Sequence, residues 1–205
     1  MLGSAPVVIV IGLTGGIAAG KSTVAQALGE RGAHVIDADR LGHRAYEPGR
    51  EAHRQVAEAF GAEVVAPDGT IDRKALGAKV FDRPAELERL TAIVWPEIRR
   101  LAEAEIAAAR AEVVVLEAAV LLEAGWEDLV DEIWVVVVEP EVAVARAVDR
   151  GGLDASAARA RIDAQLSNQE RKARANRVID NGGDESALLR QVDEAWRAVT
   201  DPGAA

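Results

Sequence analysis

The sequence predicts an α/β fold, a parallel β-sheet with helices on both faces. Three observations carry that expectation. Five short β-branched runs are mostly continuous rather than alternating, which suits strands covered on both sides. Helical stretches separate the runs, giving the order β-α-β. A glycine-rich loop joins the first run directly to the first helix. The chain has 205 residues, 49% of them apolar, enough for one ordinary core with insertions. Aromatics are few (Trp 4, Phe 2, Tyr 1), so Val, Ile, Leu and Ala must fill that core.

Taken in order, Val7–Leu13 reads as the first strand and Ser22 to about Arg31 as the first helix. Ala33–Asp37 is the second strand. The next strand begins only at Val113, so residues 39–110 form a helical insertion rather than a single crossover. Within it, Leu87, Leu90, Ile93, Val94, Ile98 and Leu101 recur near helical spacing over Pro84–Arg110, and Pro96 is expected to end or kink that helix. Val113–Glu117 and Ile133–Val138 are the third and fourth strands. Residues 141–175 are rich in Ala and Arg, helical and poor in large apolar side chains, so they are expected to pack loosely. Arg177–Asp180 is the fifth strand, and an amphipathic helix from Asp184, a candidate cap, to Val199 closes the chain. The core is thus expected in three pieces, residues 1–38, 111–140 and 176–205.

Composition excludes several function classes. With 24 basic and 34 acidic residues the net charge is −10, unsuited to sequence-blind binding of a nucleic-acid duplex. Cys is absent, so a disulfide framework, a Cys-ligated zinc site and a thiol nucleophile are impossible. His34, His43 and His53 lack metal-ligand spacing. No run reaches 18 apolar residues, so no membrane-spanning helix is expected. The apolar start follows no basic segment and runs straight into the glycine loop, which carries the expectation of a cytoplasmic protein.

The run Gly15, Gly16, Ile17, Ala18, Ala19, Gly20, Lys21, Ser22, Thr23 fits G-x-x-x-x-G-K-[ST] between a strand and a helix. In that context the backbone N–H groups and the helix N-terminus cradle phosphates. Lys21 reaches the β- and γ-phosphates, and the Ser22 hydroxyl ligates Mg²⁺. The loop specifies a nucleoside triphosphate and no particular reaction. Neither N-K-x-D nor T-K-x-D is present, which argues against a GTPase, and the length argues against a motor ATPase. Small kinases remain. Asp37 and Asp39 emerge at a strand's C-terminal end, where parallel sheets bind ligands. One could orient or deprotonate an acceptor hydroxyl, or Asp39 could simply cap the next helix. Arg146 and Arg150 share a helix face, as do Arg161 and Gln165. Such arginines close on a phosphoryl group in a lid or form a solvated surface.

Five stretches, GLTGGIAAGKST (12–23), VIDADRLGHRAYEPG (35–49), GTIDRKALGAKVF (69–81), VLEAAVLLEAGW (115–126) and VIDNGG (178–183), resemble the dephospho-CoA kinase family over nearly the whole chain. Several of their forms look closest to the kinase domain of bifunctional CoA synthase. The resemblance implies a P-loop NTPase-type three-layer fold with a five-stranded parallel sheet, a dephospho-CoA-binding insertion at 39–110 and a lid at 141–175. It implies transfer of the ATP γ-phosphate to the ribose 3′-hydroxyl of dephospho-CoA with Mg²⁺, completing coenzyme A synthesis. By residue it implies Asp39 as general base, Lys21 and Ser22 at the phosphates and Mg²⁺, and Arg146, Arg150 and Arg161 in the lid. It places Asn181 and Gly182 at the adenine. Asp37, Asp39, Arg73, Glu117, Glu123 and Arg161 are the expected substrate contacts, with Arg44, Arg50 and Arg54 further candidates for the CoA phosphates. Three positions depart from the family pattern: Glu117 stands where Asp is usual, Gly151 follows Arg150 where an Asp is usual, and Trp95 precedes Pro96 where His is frequent. Other small-molecule kinases, of nucleoside-monophosphate or shikimate type, and a catalytically weakened nucleotide-binding protein are the alternatives. The oligomeric state is not legible.

Overall fold

The computed structural model describes residues 8–81 and 83–201. The element order is β1 (Ile9–Gly15), α1 (Lys21–Glu30), β2 (His34–Asp37), α2 (Ala38–Ala45), α3 (Glu51–Phe60), α4 (Arg73–Val80), α5 (Pro84–Ala108), β3 (Val113–Glu117), β4 (Glu132–Val137), α6 (Pro140–Asp149), α7 (Ala155–Asp163), α8 (Asn168–Arg174), β5 (Arg177–Asp180) and α9 (Glu185–Thr200). The sheet has five strands in the order β2-β3-β1-β4-β5. β1 pairs parallel with β3 (Ile9 with Val113) and with β4 (Ile11 with Glu132), and β4 pairs parallel with β5 (Trp134 with Arg177).

The contacts divide the chain into two units, one running to Ile36 and resuming at Ala109, the other Asp37–Ala108. The first holds the main core. Ile11, Leu13, Val115 and Val136 from the central strands meet Leu28 of α1 and Val192 of α9, all fully buried. Burial on both faces is why these strands read as continuous apolar runs. Trp134 is also fully buried, and its indole N–H donates to Glu132 at 2.7 Å. Arg177 donates to the same carboxylate at 2.8 Å and lies over the Trp134 ring. Burial pushes the Glu132 carboxyl up, but the hydrogen bonds from Arg177 and Trp134 outweigh it and hold the group below its ordinary value.

In the second unit α5 is the spine. α2, α3 and α4 each pack on it, with Leu41, Val56, Leu76, Val94, Ile98 and Leu101 buried. Pro96 does not end this helix, which runs on to Ala108. Proline removes one hydrogen-bond donor there. Buried Val94 on one side and buried Ile98, Leu101 and Ala102 on the other hold both halves in one apolar seam.

Three strands differ from expectation at their boundaries. β2 starts at His34, one residue after the expected Ala33. Val7 lies outside the described residues, and β1 continues two residues past Leu13 because its ladder with β4 extends to Gly15 opposite Val136. β4 starts at Glu132, one residue early, and stops at Val137.

Candidate active site

β1 delivers the chain to the phosphate loop, where two of the glycines, Gly15 and Gly20, have no room for a side chain. A Cβ on Gly15 would strike the Val136 carbonyl oxygen, and one on Gly20 would strike the Asn181 amide. Gly20 also has φ 97°, a conformation that L side chains rarely adopt, and it is the residue that opens α1. No side chain caps α1 and none of its own first-turn residues is acidic, which leaves its N–H groups available to an anion. Lys21 Nζ folds back over the loop, donating to the carbonyls of Gly15 (3.0 Å) and Gly16 (3.3 Å). Ala18 holds the left-handed region at φ 56°. It is buried with Ala147 and Ala158, against Ile17, Val144, Val148 and Leu153.

Two further contacts shape the loop. The Asn181 amide donates to the Ala19 carbonyl at 2.8 Å, while the Asn181 carbonyl accepts from Arg146 at 3.0 Å. The Gln165 side-chain carbonyl accepts the Ile17 N–H at 2.9 Å. The Ser22 hydroxyl donates to the Glu117 carboxylate at 3.2 Å. A hydroxyl and a carboxylate side by side are hard oxygen donors of the kind that suit Mg²⁺, which keeps most of its shell for water and phosphate. Among the described residues no cluster of three or more His, Cys, Asp or Glu could form an all-protein metal cage.

An open cavity of about 320 Å³ borders the end of the loop, lined by Gly20, Thr23, Arg146, Arg150, Asn181 and Gly183. It brings together the residues expected at the lid and at the adenine turn, with Gly183 rather than Gly182 on the wall. Gly182 instead gives its N–H to Asp180 at 2.7 Å. A second cavity, of about 260 Å³, lies against Gly16, Ile17 and Ala19 on the side of Gln165 and Arg171.

Other expected site residues have different surroundings. Asp37, not Asp39, caps α2, accepting from the N–H groups of Asp39 (2.9 Å) and Arg40 (3.2 Å). Asp39 is exposed in the helix's first turn. Glu123 is held by the buried guanidinium of Arg171 at 3.2 Å. Arg161 is exposed on α7 and Arg73 at the start of α4. Arg44 pairs with Glu105, Arg50 with Glu97 and Arg54 with Glu51 and Glu58, so these three arginines have carboxylate partners within their own unit. Gly151 takes φ 82°, gives its N–H to Val148 at 2.9 Å and ends α6. A glycine in this left-handed position supplies a helix stop.

Sequence reasoning missed Gln165 as a loop partner and Arg171 altogether. Gln165 carried one faint signal, its place one turn after Arg161. Arg171 lies in the charged run Glu170-Arg171-Lys172, where nothing marks it as only 2% exposed. Burial pulls its guanidinium below the ordinary arginine value, with the Glu123 carboxylate opposing that shift.

The family model described as dephospho-CoA kinase matches residues 9–186. A dephospho-CoA kinase of Geobacter sulfurreducens is 49% identical over 91% of this chain and 96% of its own length. One of Symbiobacterium thermophilum is 46% identical over 93% of this chain and 81% of its own. A crystal structure of a Thermus thermophilus protein superposes with a TM-score of 0.82 at 37% identity, covering 94% of this chain and 98% of that one. A shikimate kinase from Bacteroides thetaiotaomicron shares the fold, with a TM-score of 0.51 at 17% identity over 93% of this chain and 98% of that one.

Proposed function

The chain belongs to the dephospho-CoA kinase family, and from that premise we propose how its own residues carry the transfer of the ATP γ-phosphate to the 3′-hydroxyl of dephospho-CoA. The observation that supports the assignment of roles is the phosphate loop with the Ser22–Glu117 contact on one side and the Arg146–Asn181 contact on the other. The loop amides and the α1 N-terminus bind the β- and γ-phosphates. Lys21, now resting on the Gly15 and Gly16 carbonyls, turns its ammonium to the phosphate oxygens. Asn181 and the Arg146–Arg150 face border the cavity that takes the rest of the nucleotide.

Ser22 and Glu117 would hold Mg²⁺, which when bound offsets the charge on the bridging phosphate oxygens. Asp39 orients the acceptor hydroxyl and takes its proton, and in a loose transition state the orienting role weighs as much as the proton transfer. Residues 39–110 supply the acceptor-binding insertion and 141–175 the lid. Arg146 and Arg150 steady the transferring group as the lid excludes water. Arg73, exposed and without an ion pair among the described residues, is free to receive a CoA phosphate.

Replacing Lys21 with Ala tests the loop assignment. The expected result is a turnover loss of about 10²–10³-fold in a variant that melts as the parent does. Turnover near the parent's would overturn it.

A further inference from the structure

The loop is held at two points by side-chain amides, and one of them has no role in the reading above. Gln165 lies two residues beyond α7, in the short link between α7 and α8. Its carbonyl accepts the N–H of Ile17, inside the phosphate loop. The neighbouring Ile17 and Ala18 side chains pack under Val144, Ala147 and Val148 of α6 and Ala158 of α7. The same loop residues therefore touch the α6–α7 pair through apolar contacts and the end of that pair through a hydrogen bond.

The link itself is anchored. Arg171 is 2% exposed, gives one N–H to the Leu166 carbonyl and another to Glu123 at 3.2 Å. Its Nε is buried without a hydrogen-bond partner. Ser167 and Glu170 close a reciprocal capping box at the start of α8, and Asn168 donates to the Val138 carbonyl at 2.8 Å. The segment carrying Gln165 is thus bound to β4's end and to the Glu123 loop. Ala18 sits in the left-handed region, which L side chains rarely adopt, so the loop's shape depends on the contacts around it.

We propose that Gln165 is a positioning residue for phosphoryl transfer. It ties the phosphate loop to the fixed end of the α6–α7 pair and keeps the loop's donors aimed when that pair closes. It acts through the Ile17 amide and not on substrate. The proposal rests on the reading of residues 15–23 as the nucleotide's phosphate loop and of α6–α7 as the lid. Because phosphoryl transfer is almost wholly positioning and electrostatics, a loop displaced by a fraction of an ångström lowers turnover more than it lowers stability.

Gln165→Met keeps the length and removes the acceptor. Three readouts on the full chain separate a positioning role from a merely structural one. The first is hydrogen exchange at the Ile17 amide without nucleotide, expected to speed up at least about tenfold while peptides from β3 and α9 stay as in the parent. The second is a split in the kinetics. kcat is expected to fall about 10–100-fold while the KM for dephospho-CoA stays within about twofold. The third is acceptor-independent ATP hydrolysis, expected to rise relative to transfer. Gln165→Glu retains an acceptor and is expected to restore the slow exchange; it is also the fallback should Gln165→Met fail to fold, and fast Ile17 exchange in a folded Gln165→Glu protein would overturn the proposal. Parent-like kcat in a folded Gln165→Met protein, or unchanged Ile17 exchange, would overturn it too. Failure of the underlying reading has a different signature: the parent itself would not need dephospho-CoA to form ADP, or Lys21→Ala would retain turnover.

Discussion

Asp37 and Asp39 illustrate how far single residues can be read from sequence. Both belong to one short acidic motif at the end of a strand, and either could cap or catalyse. The structure assigns the cap to Asp37, whose carboxylate takes two backbone N–H groups of α2. Asp39 is left exposed in the first turn. Asp37→Ala is therefore expected to cost about 1 kcal/mol of stability, and Asp39→Asn none. Asp39→Asn is expected to keep ATP affinity and cut turnover about 10²–10⁴-fold, measured by calorimetric titration beside an initial-rate assay. Near-parent turnover contradicts the assignment. Glu117 was legible only as a departure from a family pattern, since nothing in the sequence shows that its longer side chain meets the Ser22 hydroxyl. Glu117→Gln is expected to raise the Mg²⁺ concentration for half-maximal rate about 10–100-fold; an unchanged Mg²⁺ dependence would show that this carboxylate takes no part in holding the ion.

Helix and strand identity was readable where local pattern and burial agree. The five runs are the five strands; the three central ones, β1, β3 and β4, are buried on both faces and have no polar alternation to disguise them. Pro96 misled because local propensity argued for a break while the seam of α5 continued through it. Gly151, marked in the sequence as a departure from a family pattern, holds the left-handed region just after α6. A Cβ there meets open space, so Gly151→Ala tests backbone strain alone. The expected penalty is about 1–2 kcal/mol, seen as a melting point about 2–4 °C or more lower, and an unshifted melting point would deny the strain. At the junction of β4 and β5, Glu132 has its carboxyl held low by Arg177 and Trp134 against the push of burial. A carboxyl lowered in the folded state stabilises above its unfolded pKa and loses that contribution as pH falls through the folded one. Glu132→Gln is thus expected to cost about 1–3 kcal/mol at pH 7, with the gap to the parent closing below about pH 4. Denaturant titrations at the two pH values check it, and a gap unchanged in acid would contradict it.

For the whole molecule, the sequence gives strand count and crossover pattern but not strand order, because order depends on which edges pair after the helices dock. The observed order places β1 between β3 and β4. The connection from β1 leads to β2 on one side and that from β4 to β5 on the other, so their C-terminal ends diverge and open a crevice at the phosphate loop. That explains why the loop, Asn181 and the α6 arginines meet although they are far apart in sequence. Contacts such as Gln165 with Ile17 follow from this topology and span 148 positions, beyond the reach of any local pattern. A net charge of −10 beside two polyanionic substrates also belongs to this scale. Arg44, Arg50 and Arg54 are paired with carboxylates in their own unit, and on the proposed reading Lys21, Arg146, Arg150 and Arg73 supply charge for the substrates.

The central claim is acceptor-dependent phosphoryl transfer from ATP at this loop. Its most direct test is ADP release from Mg-ATP with and without dephospho-CoA, with the acceptor's product identified by mass. The account predicts ADP formation that depends on dephospho-CoA and matches coenzyme A formed mole for mole. ADP release indifferent to dephospho-CoA, or ATP binding with no coenzyme A formed, would contradict it.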